Sequence, residues 1–192
     1  MSSPKMPLPS IDLPLPVGLV ADRPADDAEI QADVLRLFDE CAGGLRRYVA
    51  AFGLTPAAAE DIVQEAFLSL FRHLRLGRPR ENLRGWLYRV AHNLALKQRE
   101  RGRRWLSVEA DTFAIRLADP TGNPEERLAE AQRRARLRAV ARALPERDRR
   151  CLYLRAEGLN YRDIAEVLGV SLGSVAKSLA RAFDRLHHSE SR

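Results

Sequence analysis

The chain has 192 residues, 45% hydrophobic and 30% charged, with 32 Lys and Arg against 26 Asp and Glu. That length suits one medium domain or two small ones, and the apolar share suffices for a core, which excludes wholesale disorder. No run approaches the roughly 18 consecutive apolar residues a membrane span requires, and two cysteines, Cys41 and Cys151, are too few for a disulfide framework or a four-ligand zinc site.

Charge is unevenly placed. Residues 1–40 carry net −5, residues 60–105 net +6 and residues 141–192 net +3. A basic centre and a basic C-terminal part suggest two surfaces that face a polyanion. Six of the eleven prolines lie in the first 24 residues. Proline fixes φ and donates no hydrogen bond, so residues 1–27 are expected to be a disordered Pro-rich tail. The segment lacks the uninterrupted apolar core of a secretory signal.

From about Ala28 the pattern is helical and strand signals are nearly absent, so the expected fold is all-α. Leu35, Phe38, Leu45, Tyr48, Val49 and Phe52 recur at helical spacing over 29–52, with Gly43-Gly44 as a potential bend or break. Thr55-Pro56 caps and opens a second helix that runs to about Leu76, with an apolar stripe through Ile62, Val63, Ala66, Phe67, Leu70 and Leu74. A third helix spans about 83–101, with Leu83, Leu87, Val90, Ala91 and Leu94 inward. Residues 102–124 contain two glycines and two prolines without sustained periodicity and read as a flexible linker. A fourth helix ends at Pro145, and three shorter ones complete the chain. The organisation expected is two small helical domains, 28–101 and 125–188, tethered by 102–124.

The C-terminal part carries a helix-turn-helix. A short helix over Tyr161–Leu168, the turn Gly169-Val170-Ser171 and a longer helix over Leu172–His187 have the lengths and the serine cap of that motif. On the last helix Leu172, Val175, Leu179, Ala182 and Leu186 are expected to face the core. Ser174, Lys177, Ser178, Arg181 and Arg185 are expected on the other side, with Ser171 as the cap. Small hydroxyls near a helix start can approach base edges, while Lys and Arg reach phosphates or guanine. On the third helix Arg89, Asn93 and Lys97 stand four residues apart and form one polar-basic stripe. Asn can bond a base edge, and the cations neutralise phosphates. On the second helix Asp61, Gln64 and Glu65 form an exposed acidic-amide face suited to a basic or polar partner helix.

At these residues the chain resembles the extracytoplasmic-function (ECF) subgroup of bacterial RNA polymerase sigma factors. AEDIVQEAF at 59–67 is similar to that family's polymerase-binding helix, and LRGWLYRVAHNLA at 83–95 to its −10 segment. Residues 144–186 are similar to its −35-reading domain. The resemblance implies core RNA polymerase and promoter DNA as partners, an anti-sigma factor as a further one, and a cytoplasmic location. It implies polymerase contact by Asp61, Gln64 and Glu65. The implied −10 contacts are Asn82, Arg84, Trp86, Arg89, Asn93 and Lys97, and the −35 contacts are Ser171, Ser174, Lys177, Ser178, Arg181 and Arg185. Two local departures stand out: Ala176-Lys177-Ser178 where the family commonly has Arg-Ser-Arg, and no aromatic residue in Asn82–Gly85. Trp86 itself reads as a core residue on its spacing from Leu83 and Val90.

The competing reading is a conventional helix-turn-helix regulator with an N-terminal sensing or dimerisation domain. The central basic stripe is what such a domain does not need. A nucleic-acid enzyme would require clustered carboxylates or a nucleophile with a paired base. The sequence shows neither, so no catalytic residue and no cofactor are expected. His73, His92, His187 and His188 lack ligand spacing, so no metal is expected.

Overall fold

The computed structural model describes residues 27–102 and 124–190, which form seven α-helices: α1 (Asp27–Ala50), α2 (Pro56–Arg75), α3 (Leu83–Gly102), α4 (Pro124–Arg142), α5 (Glu146–Ala156), α6 (Tyr161–Leu168) and α7 (Leu172–Glu190). Among the described residues there is no strand. The tail and the linker expected from the sequence lie, apart from their edge residues, outside the described residues.

Local chemistry sets the helix ends. Thr55 accepts a hydrogen bond from the Ala58 amide at 3.2 Å, and Pro56 opens α2 where its missing N–H costs nothing. At α6 the Asn160 side chain accepts from the Asp163 amide and the Asp163 carboxylate from the Asn160 amide, a reciprocal capping box. Gly169 then stops α6 at φ 64°, a left-handed conformation that glycine adopts without Cβ strain. Ser171 caps α7 by accepting from the Ser174 amide at 3.2 Å.

Helices α1, α2 and α3 pack on one another, and α7 packs on α4, α5 and α6. The first group buries Leu37, Leu45, Val49, Val63, Leu70, Leu74, Leu87 and Ala91; the second buries Leu154, Leu159, Ile164, Val175 and Leu179. Each fully buried Val, Leu or Ile side chain contributes roughly 1.5–3 kcal/mol of transfer free energy. Cys41 and Cys151 are both buried free thiols.

Three sequence expectations change. Gly43-Gly44 does not break α1, which runs unbroken through both. Leu35 is 64% exposed and Leu172 54%, so neither belongs to the core. The two halves also do more than share a tether: helix α3 packs against α6, and one continuous core contains Tyr48, Tyr88 and Ala91 together with Tyr153, Leu154 and Ile164. The apolar stripe of α3 accounts only for its packing within the first group. Tyr88 and His92 are also buried, and Tyr88 reaches across to Glu157 of the second group.

His92 shows how dry this region is. Its Nδ1 lies 2.7 Å from the Tyr48 hydroxyl, and its ring sits edge-on to Phe52. Burial, then the nearby charges of Arg150 and Arg99, push the imidazole down to about 4. Unfolding returns it towards its ordinary 6.5, so between about 6.5 and 4 the unfolded chain takes up a proton that the folded chain refuses. Stability should therefore fall as pH drops through that window. His92→Gln, which keeps an acceptor for Tyr48, should flatten the loss; thermal melts of both proteins at pH 7 and pH 4.5 check this, and parallel curves would exclude His92 as the titrating group.

Candidate nucleic-acid interface

The stripe on α3 is only partly open. Asn93 and Lys97 are exposed, whereas Arg89 is half-buried, 3.5 Å from the Glu166 carboxylate on α6. Asn82 precedes the helix at φ +50°, a left-handed conformation that asparagine tolerates better than most residues. Its Oδ1 accepts from the Gly85 amide at 3.1 Å, fixing the start of α3, and its Nδ2 donates to Asp163 at 2.7 Å. Arg84 is half-buried with its guanidinium beside Gly158. Trp86 packs against the core and lies tilted against the His73 ring with centroids 4.7 Å apart. The six candidate −10 residues thus share one helix and its leading loop, with Asn82, Arg84 and Arg89 against the second half.

The open face of α7 is rotated from the one its sequence suggests. Ser171, Lys177 and Arg185 are exposed and Ser174 half-buried, but Ser178 is fully buried. Arg181 uses both Nε and Nη2 to bond the Asp148 carboxylate at 3.0 and 2.7 Å, and Nη2 also donates to Ser178. Arg181 is therefore an intramolecular partner as well as a surface cation. The Arg181 contact holds the Asp148 carboxyl below the ordinary carboxylate range. Leu172, Gly173, Ala176 and Ala180 are exposed beside Lys177. Nothing lies near the Gly173 Cα, so a backbone or a base can approach it closely. The face offers Lys177, small side chains and a leucine, with Arg181 at its edge and Arg185 further along.

On α2, Asp61 and Gln64 are exposed and Glu65 is half-buried, 3.4 Å from Arg72 on the same helix. Leu68, one turn further on, is 51% exposed and extends this face with an apolar side chain. The described residues contain no group of His, Cys, Asp and Glu that could hold a metal ion, and no helix among them is long and apolar enough to cross a membrane.

Residues 37–105 match the family described as sigma-70 region 2, and residues 127–186 match sigma-70, region 4. The ECF RNA polymerase sigma-E factor of Escherichia coli (strain K12) is 31% identical over 157 residues, which cover 78% of this chain and 80% of that protein. The chain belongs to the ECF sigma factors. ECF RNA polymerase sigma factor SigE of Mycolicibacterium smegmatis is 36% identical over 131 residues, 67% of this chain and 50% of that protein. A probable RNA polymerase sigma factor RfaY of Xanthomonas campestris pv. campestris is 34% identical over 77% of this chain and 38% of its own. The chain thus spans half or less of the length of these two relatives. The Bartonella quintana sigma factor RpoE, solved with the anti-sigma factor NepR, shares the fold with a TM-score of 0.61 at 21% identity, covering 85% of this chain and 97% of that one. CnrH, solved with the cytosolic domain of CnrY, does so with a TM-score of 0.52 at 22% identity, over 84% and 92%.

Against this ECF background, the exposed residues beside the candidate sites that sequence reasoning passed over are Leu68 on α2 and Leu172 and Gly173 on α7. Leu68 stands four residues from Gln64 and seven from Asp61, so continuing the acidic face by one turn would have found it. The α7 residues gave no such signal, because a leucine after a cap reads as core.

The Arg181–Asp148 pair separates two cations that look equivalent in sequence. Arg181→Ala strands a carboxylate whose side chain is only 2% exposed. It should lower the melting temperature by several degrees, whereas Lys177→Ala should leave it unchanged. Circular-dichroism melts decide the matter, and equal melting of the two variants would mean that the pair does not hold α5 to α7.

Proposed function

We propose that this chain directs transcription initiation as an RNA polymerase sigma factor in the cytoplasm, with 28–101 and 125–188 as its working domains and no covalent chemistry of its own. The observation that carries this is the pairing of a helix bearing Arg89, Asn93 and Lys97 with a capped helix-turn-helix, α6–α7, in one chain of the ECF family. The match over 37–105 fills the place that the regulator reading gives to a sensing domain.

In this reading α2 docks on core polymerase through Asp61, Gln64 and Glu65, with Leu68 supplying apolar area. Helix α7 enters the −35 major groove through Ser171, Ser174 and Lys177, with Arg185 further along for a phosphate. Arg181 contributes through its position on Asp148. The α3 stripe takes the unpaired −10 strand: Arg89 and Lys97 on phosphates, Asn93 on a base edge, and Asn82, Arg84 and Trp86 lining the loop where a base leaves the stack. Unstacking a base costs a few kcal/mol, offset by contacts of this kind. An anti-sigma factor as partner is supported by the family and by the NepR complex of the Bartonella protein.

Run-off transcription with core polymerase tests the reading as a whole. Arg89→Ala/Asn93→Ala/Lys97→Ala should abolish permanganate-reactive thymines at the −10 region while duplex −35 binding persists. Loss of two phosphate contacts should flatten the log affinity against log salt slope by about 1.4 for single-stranded DNA. Normal melting by that variant would transfer the −10 role elsewhere.

Charge reversal by Asp61→Lys/Glu65→Lys should weaken copurification with core polymerase by tenfold or more, on the order of 1.4 kcal/mol. Unchanged circular dichroism would accompany it, since neither carboxylate supports the core. Retained copurification would remove this face from the interface.

A further inference from the structure

The loop between α2 and α3, residues 76–82, is exposed at every position. Burial therefore contributes nothing to its order, and ordering a backbone costs conformational entropy. The order comes from polar contacts, and His73 on the last turn of α2 makes two of them. Its backbone carbonyl accepts from the Arg78 amide at 3.3 Å, and its Nε2 lies 3.0 Å from the Pro79 carbonyl oxygen. A carbonyl only accepts, so Nε2 carries the hydrogen and donates. Proline has no N–H, which leaves that carbonyl as the one backbone group by which residue 79 can be hydrogen-bonded. The same imidazole lies tilted against Trp86 on the first turn of α3, with centroids 4.7 Å apart. One side chain thus connects the end of α2, the middle of the loop and the start of α3.

The rest of the loop is fixed around it. Gly77 turns the chain at φ +63°, where a side chain would be strained, and its amide donates to the Leu74 carbonyl at 3.0 Å. Arg80 reaches Glu29 and Asp33 of α1 at 2.7 and 3.1 Å, and Asn82 accepts from the Gly85 amide. The Arg80 pairs stand on the surface, where ion pairs add little; the His73 contact is backed by the packed Trp86 ring. A loop that is exposed and yet preorganised is suited to receive a ligand. Resting on the sigma-factor reading above, in which Asn82, Arg84 and Trp86 line the place where a −10 base leaves the stack, we propose that His73 is a positioning residue for that capture. It acts through Pro79 and Trp86 rather than by touching DNA, setting the path of residues 78–82 and the tilt of the Trp86 ring. Without the donor the Pro79 carbonyl returns to water at little cost to the fold. The loop then samples other paths, and only the fraction on the competent one captures a base.

Full-length variants assembled with core polymerase test this. Open complexes are captured from two promoter libraries, one randomised over the −10 positions and one over the −35, and the bound DNA is sequenced. His73→Ala should flatten the base preference at one or more −10 positions about tenfold, as when about a tenth of the loops take the competent path. It should leave the −35 preference and the melting temperature unchanged. His73→Gln keeps an N–H donor and should restore the preference. His73→Phe keeps a ring against Trp86 without a donor and should behave as the alanine variant does. The proposal is overturned by an unchanged −10 preference in His73→Ala, by equal flattening of both libraries, by a phenylalanine variant that matches the unaltered chain, or by a glutamine variant no better than alanine. A second measurement needs no DNA. Hydrogen exchange at the Gly77 and Arg78 amides of the free chain should quicken about tenfold in the alanine and phenylalanine variants and not in the glutamine one, and equal exchange in all four chains overturns the proposal. The unaltered chain keeps the two readings apart: if with core polymerase it enriches no promoter from either library, the sigma-factor assignment itself is wrong, whereas the exchange result still decides how His73 holds the loop.

Discussion

The carboxylate of Glu157 is the point on which the arrangement turns. It sits at the end of α5, accepts from Arg47 on α1 and Tyr88 on α3, and fills the space left open at Gly44. An acid whose side chain is only 12% exposed is tolerable only with charge-assisted partners in place. Its partners come from two helices of the other half, so satisfying this one group fixes α5 against both α1 and α3. Burial of Tyr48, Tyr88 and Tyr153 follows from that placement, and burial in turn pushes all three phenols up from their ordinary value and keeps them neutral.

The two candidate DNA surfaces consequently differ in state within one structure. The α7 face stands open at Lys177 and around Gly173, while Asn82 and Arg89, two of the six α3 candidates, are engaged by carboxylates. A buried or half-buried ion pair adds little net stability, because desolvation offsets much of the Coulomb gain. The apolar part of the seam between the two halves, centred on Tyr48, Phe52 and Tyr153, supplies the stability that the ion pairs do not.

The recognition helix shows the same economy. Asp148 is almost completely buried, and its bidentate bond to Arg181 ties α5 to α7. The cation that completes this bond also stands at the edge of the open face of α7. Ser178 is drawn inside to bond the same guanidinium. The open surface that remains carries Leu172, Gly173, Ala176 and Ala180 beside Lys177, with Arg181 at its edge and Arg185 further along, and Ala176 stands where the family commonly carries an arginine.

The sequence by itself determined the helices, because their signals are local. Thr55-Pro56, Asn160 with Asp163, Gly169 and Ser171 each act within a turn or two, and the structure begins and ends helices at them. The stripes through α2 and α7 likewise located most of the core, and the motifs at 59–67 and 83–95 placed the chain in its family. Which polar residues stand free was beyond local reasoning. Periodicity assigns a side chain to a face but does not say what faces it, so Ser178 and Arg181 read as solvent-facing until α5 supplied Asp148. Leu35 and Leu172 read as core because apolar residues at helical spacing usually are. The closed seam had no sequence signal at all. It joins Asn82 to Asp163 across 81 positions and Arg47 to Glu157 across 110, and only the tertiary structure decides such pairings, because they depend on where two faces distant in sequence come to rest.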